Sequence, residues 1–196
     1  MKYLANILIL SLALSLSACG YNKMQIGDED IKSSWAEVLN QYQRRADLVP
    51  NLVNVVKGYA SHEEKVLTEV TEARSKVSAV TLTPELLNNA EAFAKFQDAQ
   101  RQMSGTLSRL LAVAENYPQL KADGGFRDLQ AQLEGTENRI AVARKRYIDS
   151  VKEFNIVVRS FPTNLTAKMF GYVVKPTFTV DDEKALAAPP VVEFSK

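Results

Sequence analysis

The side chains that most often carry out chemistry are scarce in this chain of 196 residues. One His and one Cys exclude a two-His metal cluster, a CxxC metal site and an internal disulfide. The single His stands in His62-Glu63-Glu64, which lacks a second His at metal-binding spacing, and we interpret this run as solvated helix surface or part of a core ion pair. No GxSxG motif and no glycine-rich phosphate loop occurs. The sequence therefore predicts no catalytic residue, no metal, no cofactor and a protein that is not an enzyme.

Charged residues are balanced along the chain. The 24 Lys and Arg residues are matched by 23 Asp and Glu residues, which gives a formal net charge of +1. Basic side chains are interspersed with acidic ones and form no stripe that would track phosphates, so we predict no nucleic-acid partner. Apolar residues make up 46% of the chain, an ordinary proportion for a folded globular domain.

Polar residues that interrupt apolar helix faces form one candidate site. Arg45 and Glu63 fall on the apolar face of the first predicted helix, roughly 27 Å apart, so they cannot pair with each other. We expect the partners of Arg45 to come from the end of the second helix, at Glu115, and from the third helix, at Glu137 and Arg139. The polar segments should gather at the end of the bundle nearer the N-terminus. The candidate residues are Arg44, Arg45, Asp47, Glu63, Glu115, Glu134, Glu137, Asn138 and Arg139.

Two interpretations of this polar cluster remain open. In the first, it is a structural layer of ion pairs that fixes the register of the helices. A buried pair of this kind adds little net stability but costs several kcal/mol when one partner is removed. In the second, the region around Arg45, Glu137 and Arg139 recognises a small ligand or a peptide. Complete pairing without an adjoining cavity would remove the reason for the second interpretation.

Cys19 has a candidate chemical role of a different kind. Lys2 precedes an uncharged, apolar stretch over residues 3–18, which as a helix would span about 24 Å. The hydrocarbon core of a bilayer is roughly 30 Å thick, so this stretch is a poor transmembrane span. It ends in Leu16-Ser17-Ala18-Cys19-Gly20, which resembles the lipobox of bacterial lipoproteins. We predict a signal peptide over 1–18 and acylation of Cys19; the alternative is an ordinary anchoring segment with an incidental Cys.

Acylation of Cys19 would imply a location. Acyl chains such as palmitate hold a protein at a bilayer, and more than one chain makes the anchoring stable. In a host with two membranes, Gly20 after the Cys favours the periplasmic face of the outer membrane. Removal of residues 1–18 would leave 178 residues (196 minus 18) and 23 basic against 23 acidic side chains. A polybasic contribution to membrane binding is therefore not expected.

Apolar residues at a 3-4 spacing predict three long helices after a short tether over residues 19–27. The first helix is predicted over 28–78, with a kink or break near Val49 because Pro50 removes a backbone hydrogen bond. A true break at Pro50, which would give four comparable helices, is the alternative. The second and third helices are predicted over 84–116 and 125–161. Thr83 is the expected N-cap of the second helix.

Short connections between these helices predict antiparallel neighbours. The expected fold is therefore all-α, an elongated antiparallel helical bundle over residues 28–170, similar to a four-helix bundle and with coiled-coil-like spacing near 3.5 residues. A short helix over 164–170 should end at Gly171. Residues 171–196 are predicted to form an extended tail. Apolar residues near its end could lie back on the bundle; these are Val191, Val192 and Phe194.

Several blocks of sequence carry a resemblance to a known family. They are 42–53 (YQRRADLVPNLV), 56–60 (VKGYA) with His62-Glu63, 70–74 (VTEAR), 107–118 (LSRLLAVAENYP), 133–144 (LEGTENRIAVAR), Phe161-Pro162 and the tail motif PPVVEF. These blocks closely resemble the LemA family of bacterial envelope proteins, over roughly residues 28–194. The resemblance implies a four-helix-bundle-like fold attached to a membrane by its N-terminus.

This chain departs from typical members of that family at its N-terminus. Typical members carry a transmembrane helix there, whereas this sequence carries a lipobox. The family has no established molecular activity, so the resemblance supplies no catalytic residues. We therefore expect a lipid-anchored protein of the bacterial cell envelope that acts as a scaffold or adaptor for another envelope protein.

Overall fold

A computed structural model describes residues 2–79 and 84–179, with side chains at residue 3, over 20–79 and over 86–179. These described residues form six α-helices and one 3-10 helix and contain no strand, which confirms the predicted all-α fold class. The α-helices are α1 (Lys2–Tyr59), α2 (Glu64–Ala79), α3 (Ala90–Ala114), α4 (Pro118–Ala122), α5 (Gly124–Arg159) and α6 (Thr163–Phe170), and the 3-10 helix is Pro84–Asn88.

The first helix continues through Pro50 and ends at Tyr59. A break at Pro50 is therefore excluded, and the prediction of a single first helix that reaches residue 78 is wrong. Pro50 costs one backbone hydrogen bond, but its neighbours Val49 and Leu52 are buried in the core and their packing holds the helix together. The chain turns over residues 60–63 instead. This turn makes α2 a separate helix that folds back against α1.

Residues 20–27 belong to α1 and do not form a tether. Gly20 and Gly27 suggested a helix start farther along the chain, but here they permit close packing. A Cβ atom at Gly20 would lie 2.6 Å from a Thr163 side-chain carbon, and one at Gly27 would lie 3.1 Å from the Phe154 ring. Met24, between the two glycines, is completely buried.

The second predicted helix begins later than its sequence signals indicate. Residues 84–88 form the 3-10 helix, and α3 begins at Ala90. Asn89 is its N-cap, because the Asn89 side-chain oxygen accepts a hydrogen bond of 3.0 Å from the Ala92 N–H. Thr83, the predicted cap, lies outside the described residues.

The third long helix and the short helix lie close to their predicted positions. Asp123 caps α5, since its Oδ1 accepts a 2.8 Å hydrogen bond from the Phe126 N–H. Just before it, Pro118 starts the short helix α4, which the sequence analysis did not predict. The predicted stop of α6 is confirmed: Gly171 has φ of 74°, in the left-handed region that favours glycine.

Side-chain pairs establish the direction of each helix. Contacts between α1 and α5 run in opposite orders along the two helices, so these helices are antiparallel, and the same holds for α2 and α3. Contacts between α1 and α3 run in the same order, so α3 is parallel to α1, because α2 intervenes between them. The pairs are Glu37–Arg146, Gln41–Arg139 and Arg45–Glu137; Glu69–Arg109 and Lys76–Gln102; and Trp35–Phe93 and Arg45–Gln100.

Two hydrophobic clusters fill the bundle, one on each side of Arg45. The aromatic cluster lies toward the N-terminal part of α1 and includes Trp35, Tyr42, Phe93, Phe96, Tyr147, Phe154 and Phe178. The mostly aliphatic cluster lies toward the end of α1 and includes Val49, Leu52, Val56, Leu67, Val70, Met103, Leu107, Leu110, Leu120, Phe126 and Leu133.

The first part of the predicted tail, residues 171–179, has no helix or strand and packs along the aromatic cluster. Asn155 exchanges two hydrogen bonds with the Lys175 backbone, at 2.9 and 3.0 Å. Farther along, the Tyr147 hydroxyl donates to the Pro176 carbonyl at 2.9 Å, and the Phe178 ring is buried. The apolar residues predicted to fold back, Val191, Val192 and Phe194, lie outside the described residues.

Candidate functional site

Arg45 is the centre of a buried polar layer between the two hydrophobic clusters. Only 2% of Arg45 is exposed. Its Nη1 donates hydrogen bonds to Ser104 Oγ at 2.7 Å and to Glu137 Oε1 at 2.9 Å. Its Nη2 donates to the backbone and side-chain oxygens of Gln100. The guanidinium carbon also lies 5.0 Å from the centre of the Tyr42 ring.

Helix periodicity explains why this polar layer lies between the two hydrophobic clusters. On α1, Arg45 lies one turn from Tyr42 of the aromatic cluster and from Val49 of the aliphatic cluster. Gln100 and Glu137 occupy the equivalent levels of α3 and α5. The ion pair between Arg45 and Glu137 is unequal, because 41% of the Glu137 side chain is exposed. A buried cation thus depends on a carboxylate that water partly reaches.

Gln100 and Ser104 are partners that the sequence analysis missed. The signal was present in Gln100, which interrupts the apolar seam Phe93, Phe96, Met103 of the second predicted helix. A buried amide in such a seam needs a hydrogen-bond partner. Because α2 is a separate helix between α1 and α3, α3 runs parallel to α1. This direction brings the Gln100 seam to the level of Arg45.

The other predicted site residues lie apart from Arg45. Arg44, Asp47 and Asn138 are exposed on the surface. Glu63 accepts a 3.1 Å hydrogen bond from Tyr117, Glu115 pairs with Lys121, and Glu134 accepts a 3.1 Å hydrogen bond from Gln130. Arg139 donates to Gln41 at 3.2 Å and to Thr136 at 3.0 Å.

These residues do not gather at the N-terminal end of the bundle, so that prediction is wrong. The turn over 60–63 reverses the direction of the second predicted helix and carries Glu115 to the opposite end of the bundle. Arg45 itself lies 25 residues beyond Gly20, roughly 38 Å along α1.

A cleft of about 420 Å³ adjoins the Arg45 layer. It opens between α1, α3, α5 and the first part of the tail, and its lining residues are Tyr42, Gln97, Gln100, Arg101, Ser104, Arg144, Phe178 and Thr179. Burial raises the pKa of the Tyr42 hydroxyl, and the positive charges of Arg144 and Arg45 oppose that rise. Arg45 is thus paired with neighbouring side chains, yet a cavity lies directly beside its partners.

His62 lies in the exposed turn between α1 and α2. Within residues 2–79 and 84–179, as far as their side chains are described, no group of three or more His, Cys, Asp and Glu side chains converges in a way that would hold a metal ion. Burial raises the pKa of the Tyr147 hydroxyl, which donates its hydrogen bond to the Pro176 carbonyl oxygen.

An exposed apolar surface at the N-terminal end of the bundle is a second candidate site. Four large side chains form this α6 surface, with exposed fractions between 54% and 80%: Phe161, Leu165, Met169 and Phe170. The α6 helix contacts α1 at residues 20 and 21. Thr163 packs on Gly20, and the centre of the Phe170 ring lies 4.7 Å from that of the Tyr21 ring. The α6 helix therefore packs on Gly20 and Tyr21, the two residues that follow Cys19 in the sequence.

A model of the LemA family matches residues 34–194, which is most of the chain. The chain belongs to the LemA family. The match begins just before Trp35 and includes Arg45 and all of its partners. No curated protein matches the chain at a significant level. Among the described residues of this LemA-family chain, no helix combines the length and the mean hydropathy that crossing a membrane requires.

Proposed function

We propose that this LemA-family chain is a lipid-anchored protein of the bacterial cell envelope and acts as a non-enzymatic scaffold or adaptor for another envelope protein. The observation that carries the proposal is the α6 surface beside Gly20. Scattered apolar residues are normal on a protein surface, but here four large exposed ones fall within residues 161–170, and a concentration of this kind marks a site of contact. Its position next to Cys19 favours the bilayer as the contacting partner.

The orientation of α6 supports this contact. Its first and last residues, Thr163 and Phe170, touch the consecutive residues Gly20 and Tyr21 of α1. The short helix therefore lies across α1 and presents its exposed side chains at one level. A helix of this kind places its apolar side in the boundary between headgroups and acyl chains, with basic residues at the edge. Lys168 is exposed on α6 and is placed for that role.

The continuity of α1 supports the scaffold role. One helix joins the N-terminal apolar segment to the whole length of the bundle. From Gly20 to Tyr59 it extends roughly 58 Å. An acylated Cys19 would therefore hold a long, rigid helical surface at a defined distance from the bilayer, and the turn over 60–63 would be the part farthest from the membrane.

Membrane fractionation of cells that produce Cys19→Ser tests the anchor. We expect this variant to leave the membrane fraction for the soluble fraction, because the remaining apolar contacts are small compared with those of acyl chains. Tight membrane association of Cys19→Ser would mean that residues 3–18 anchor the protein unaided. Mass spectrometry of the native N-terminus provides a direct check on acylation.

The contribution of the α6 surface needs its own variants. In the Cys19→Ser background, Leu165→Ser with Met169→Ser should reduce binding to phospholipid vesicles further. Val142→Ser is the matched control, since Val142 is 52% exposed on α5 but lies away from α6. Equal vesicle binding by the double variant and the control would exclude α6 from the membrane contact.

The scaffold role predicts a stable protein partner. Crosslinking in cells followed by mass spectrometry should recover the same envelope protein with the acylated chain in repeated experiments, and less of it with Cys19→Ser. The absence of any reproducible partner would contradict the scaffold role and leave the anchor unaffected.

A ligand-binding module is the second candidate function, and the cleft beside Arg45 favours it. The region first considered, around Arg45, Glu137 and Arg139, is occupied by its own hydrogen bonds. Any ligand site must therefore use the cleft and its lining residues.

A further inference from the structure

We propose that the cleft beside Arg45 binds an oxyanion, a carboxylate or a phosphate carried on a small molecule, through Arg144, Gln100 and Tyr42. The volume of about 420 Å³ is within the usual range for small-molecule sites. This inference does not depend on the membrane anchor, because the cleft and the α6 surface use different residues.

The charge of the cleft favours an anion. Among the described residues, its lining contains two arginines, Arg101 and Arg144, and no Asp or Glu. Arg101 forms an ion pair with Asp98, but Arg144 has no hydrogen bond or ion pair with any residue of the described ranges. The half-buried Arg144 guanidinium lies 4.4 Å from the centre of the Phe178 ring. A guanidinium that contacts a ring in this way and has no hydrogen-bond acceptor beside it keeps its N–H groups available for an oxyanion.

Gln100 supplies an oriented donor. Arg45 can only donate hydrogen bonds, so the oxygen of the Gln100 amide must face Arg45. The NH₂ group of that amide is then directed away from Arg45, and within the described chain it has no hydrogen-bond partner. Because Gln100 lines the cleft, this donor is available to a ligand there. The ion pair of Arg45 with Glu137 holds the arrangement in place.

Tyr42 adds a third donor. The Tyr42 ring is buried against Phe96, at 5.4 Å between ring centres, and its hydroxyl has no hydrogen-bond partner among residues 2–79 and 84–179. Tyr42 and Arg144 both line the cleft; burial raises the pKa of this hydroxyl, and the positive charge of Arg144 lowers it. Three donors from three different elements thus line one cleft whose described lining residues include no acid, and charge-assisted hydrogen bonds to an anion need such donors.

Two sources of the oxyanion are chemically equivalent. One is a separate small molecule. The other is the chain itself, because Asp181, Asp182 and Glu183 lie only two to four residues after Thr179, a lining residue of the cleft. The experiment therefore compares the full-length chain with a full-length variant in which these acids are neutralised, Asp181→Asn with Asp182→Asn and Glu183→Gln.

Calorimetric titration of both chains with sodium benzoate and with sodium phosphate tests the site. We expect one anion to bind with a Kd of about 1 mM or below. Arg144→Gln should weaken that binding at least about tenfold, and Tyr42→Phe about fivefold, since each removes a charge-assisted hydrogen bond. Arg146→Gln is the matched control: it removes the same charge from the same helix outside the cleft and should leave binding unchanged.

The possible outcomes distinguish the sources and the proposal itself. Binding to the unmodified chain would support a separate molecule. Binding only after neutralisation of the three acids would also support the site and would identify these acids as its competitors. If neither anion binds either chain at about 10 mM, or if Arg144→Gln has no larger effect than Arg146→Gln, the cleft is not an oxyanion site. Tyr42→Phe keeps the buried ring, so reduced binding at unchanged thermal stability would separate a ligand contact from a structural role.

Discussion

The two halves of the bundle on either side of Arg45 are stabilised by different means. The aliphatic half contains four helices, with α2 packed against α1 and α3. The aromatic half has no α2; the 3-10 helix and the tail fill that position with Leu86, Leu87 and Phe178. Consecutive helices thus complete the aliphatic half, whereas the aromatic half is completed by the tail, which follows all the helices in the chain.

This difference explains the use of aromatic residues. A tail without regular secondary structure cannot offer a continuous apolar face, so large rings must fill the gap. Phe178 reaches the Phe93 and Tyr147 rings, with ring centres 5.1 and 5.5 Å apart. The cleft beside Arg45 is lined in part by Phe178 and Thr179 of the tail, so the candidate ligand site depends on the same substitution of tail for helix.

The largest expected effect is that of Phe178→Ala, which removes the buried ring of the tail from the aromatic half. Loss of a buried Phe side chain costs about 3 kcal/mol. Chemical denaturation should show this loss in the free energy of unfolding, and hydrogen exchange should become faster around Trp35 and Tyr147 but not around Leu110. Uniform acceleration in both halves would contradict the separate roles assigned to them.

The boundary between the halves should respond strongly to Glu137→Ala. This change leaves the buried Arg45 cation without its carboxylate, at an expected cost of about 2–3 kcal/mol. The cost is reduced because the Glu137 carboxylate is partly solvated. Arg45→Met should cost less, since the remaining Glu137 can be hydrated. Thermal unfolding of both variants shows which one loses more stability. A larger loss of stability for Arg45→Met than for Glu137→Ala would contradict this account.

How much the sequence could predict also differs between the halves. Apolar periodicity located the long helices, and the polar interruption at Arg45 indicated a layer that needs partners. The position of the break could not be read from Pro50, because buried neighbours compensate for the lost hydrogen bond, whereas the turn over 60–63 keeps the apolar residue Ala60 in the core. Once the break moves, the direction of α3 changes, and so do the partners of Arg45.

The aromatic half was harder to predict because its closure is not periodic. Phe178 stands alone in a segment with no helix pattern, so nothing in its sequence identifies it as a core residue. Gly20 and Gly27 were misinterpreted for a related reason. A glycine indicates either a break or a close approach, and only the location of Thr163 and Phe154 in three dimensions decides between them.

Two Gly→Ala variants should change the free energy of unfolding by an intermediate amount and in opposite directions. At Gly27 the added Cβ meets the Phe154 ring at 3.1 Å, so crowding should destabilise the aromatic half by about 1 kcal/mol despite the better helix propensity of Ala. At Gly105, inside α3, the added Cβ meets nothing within 4 Å. Gly105→Ala should therefore stabilise the protein by about 0.5–1 kcal/mol. Denaturation of both variants provides the measurement, and the same sign of change at both positions would contradict the close packing at Gly27.

The smallest expected effect is the pH dependence of the bridge between the tail and α1. Asp28 contacts Lys175 of the tail at 3.1 Å and Lys32 at 2.9 Å. Burial raises the pKa of Asp28, but hydrogen bonds from Lys32 and Lys175 outweigh burial and bring it below its ordinary value of 3.8. A carboxyl with a lowered pKa in the folded state stabilises the fold above the pKa of the unfolded chain. That contribution disappears as the pH falls through the folded-state value.

Asp28→Asn isolates this contribution. It should lower the free energy of unfolding by less than about 1 kcal/mol near neutral pH, and the difference from the unmodified chain should vanish at about pH 2. Lys175→Met is the companion variant, because it removes the tail partner of Asp28 and leaves Lys32 in place. If the tail helps to close the aromatic half, Lys175→Met should also weaken the dependence of Trp35 fluorescence on acid. A dependence that stays the same in both variants would assign the acid response to groups outside this bridge.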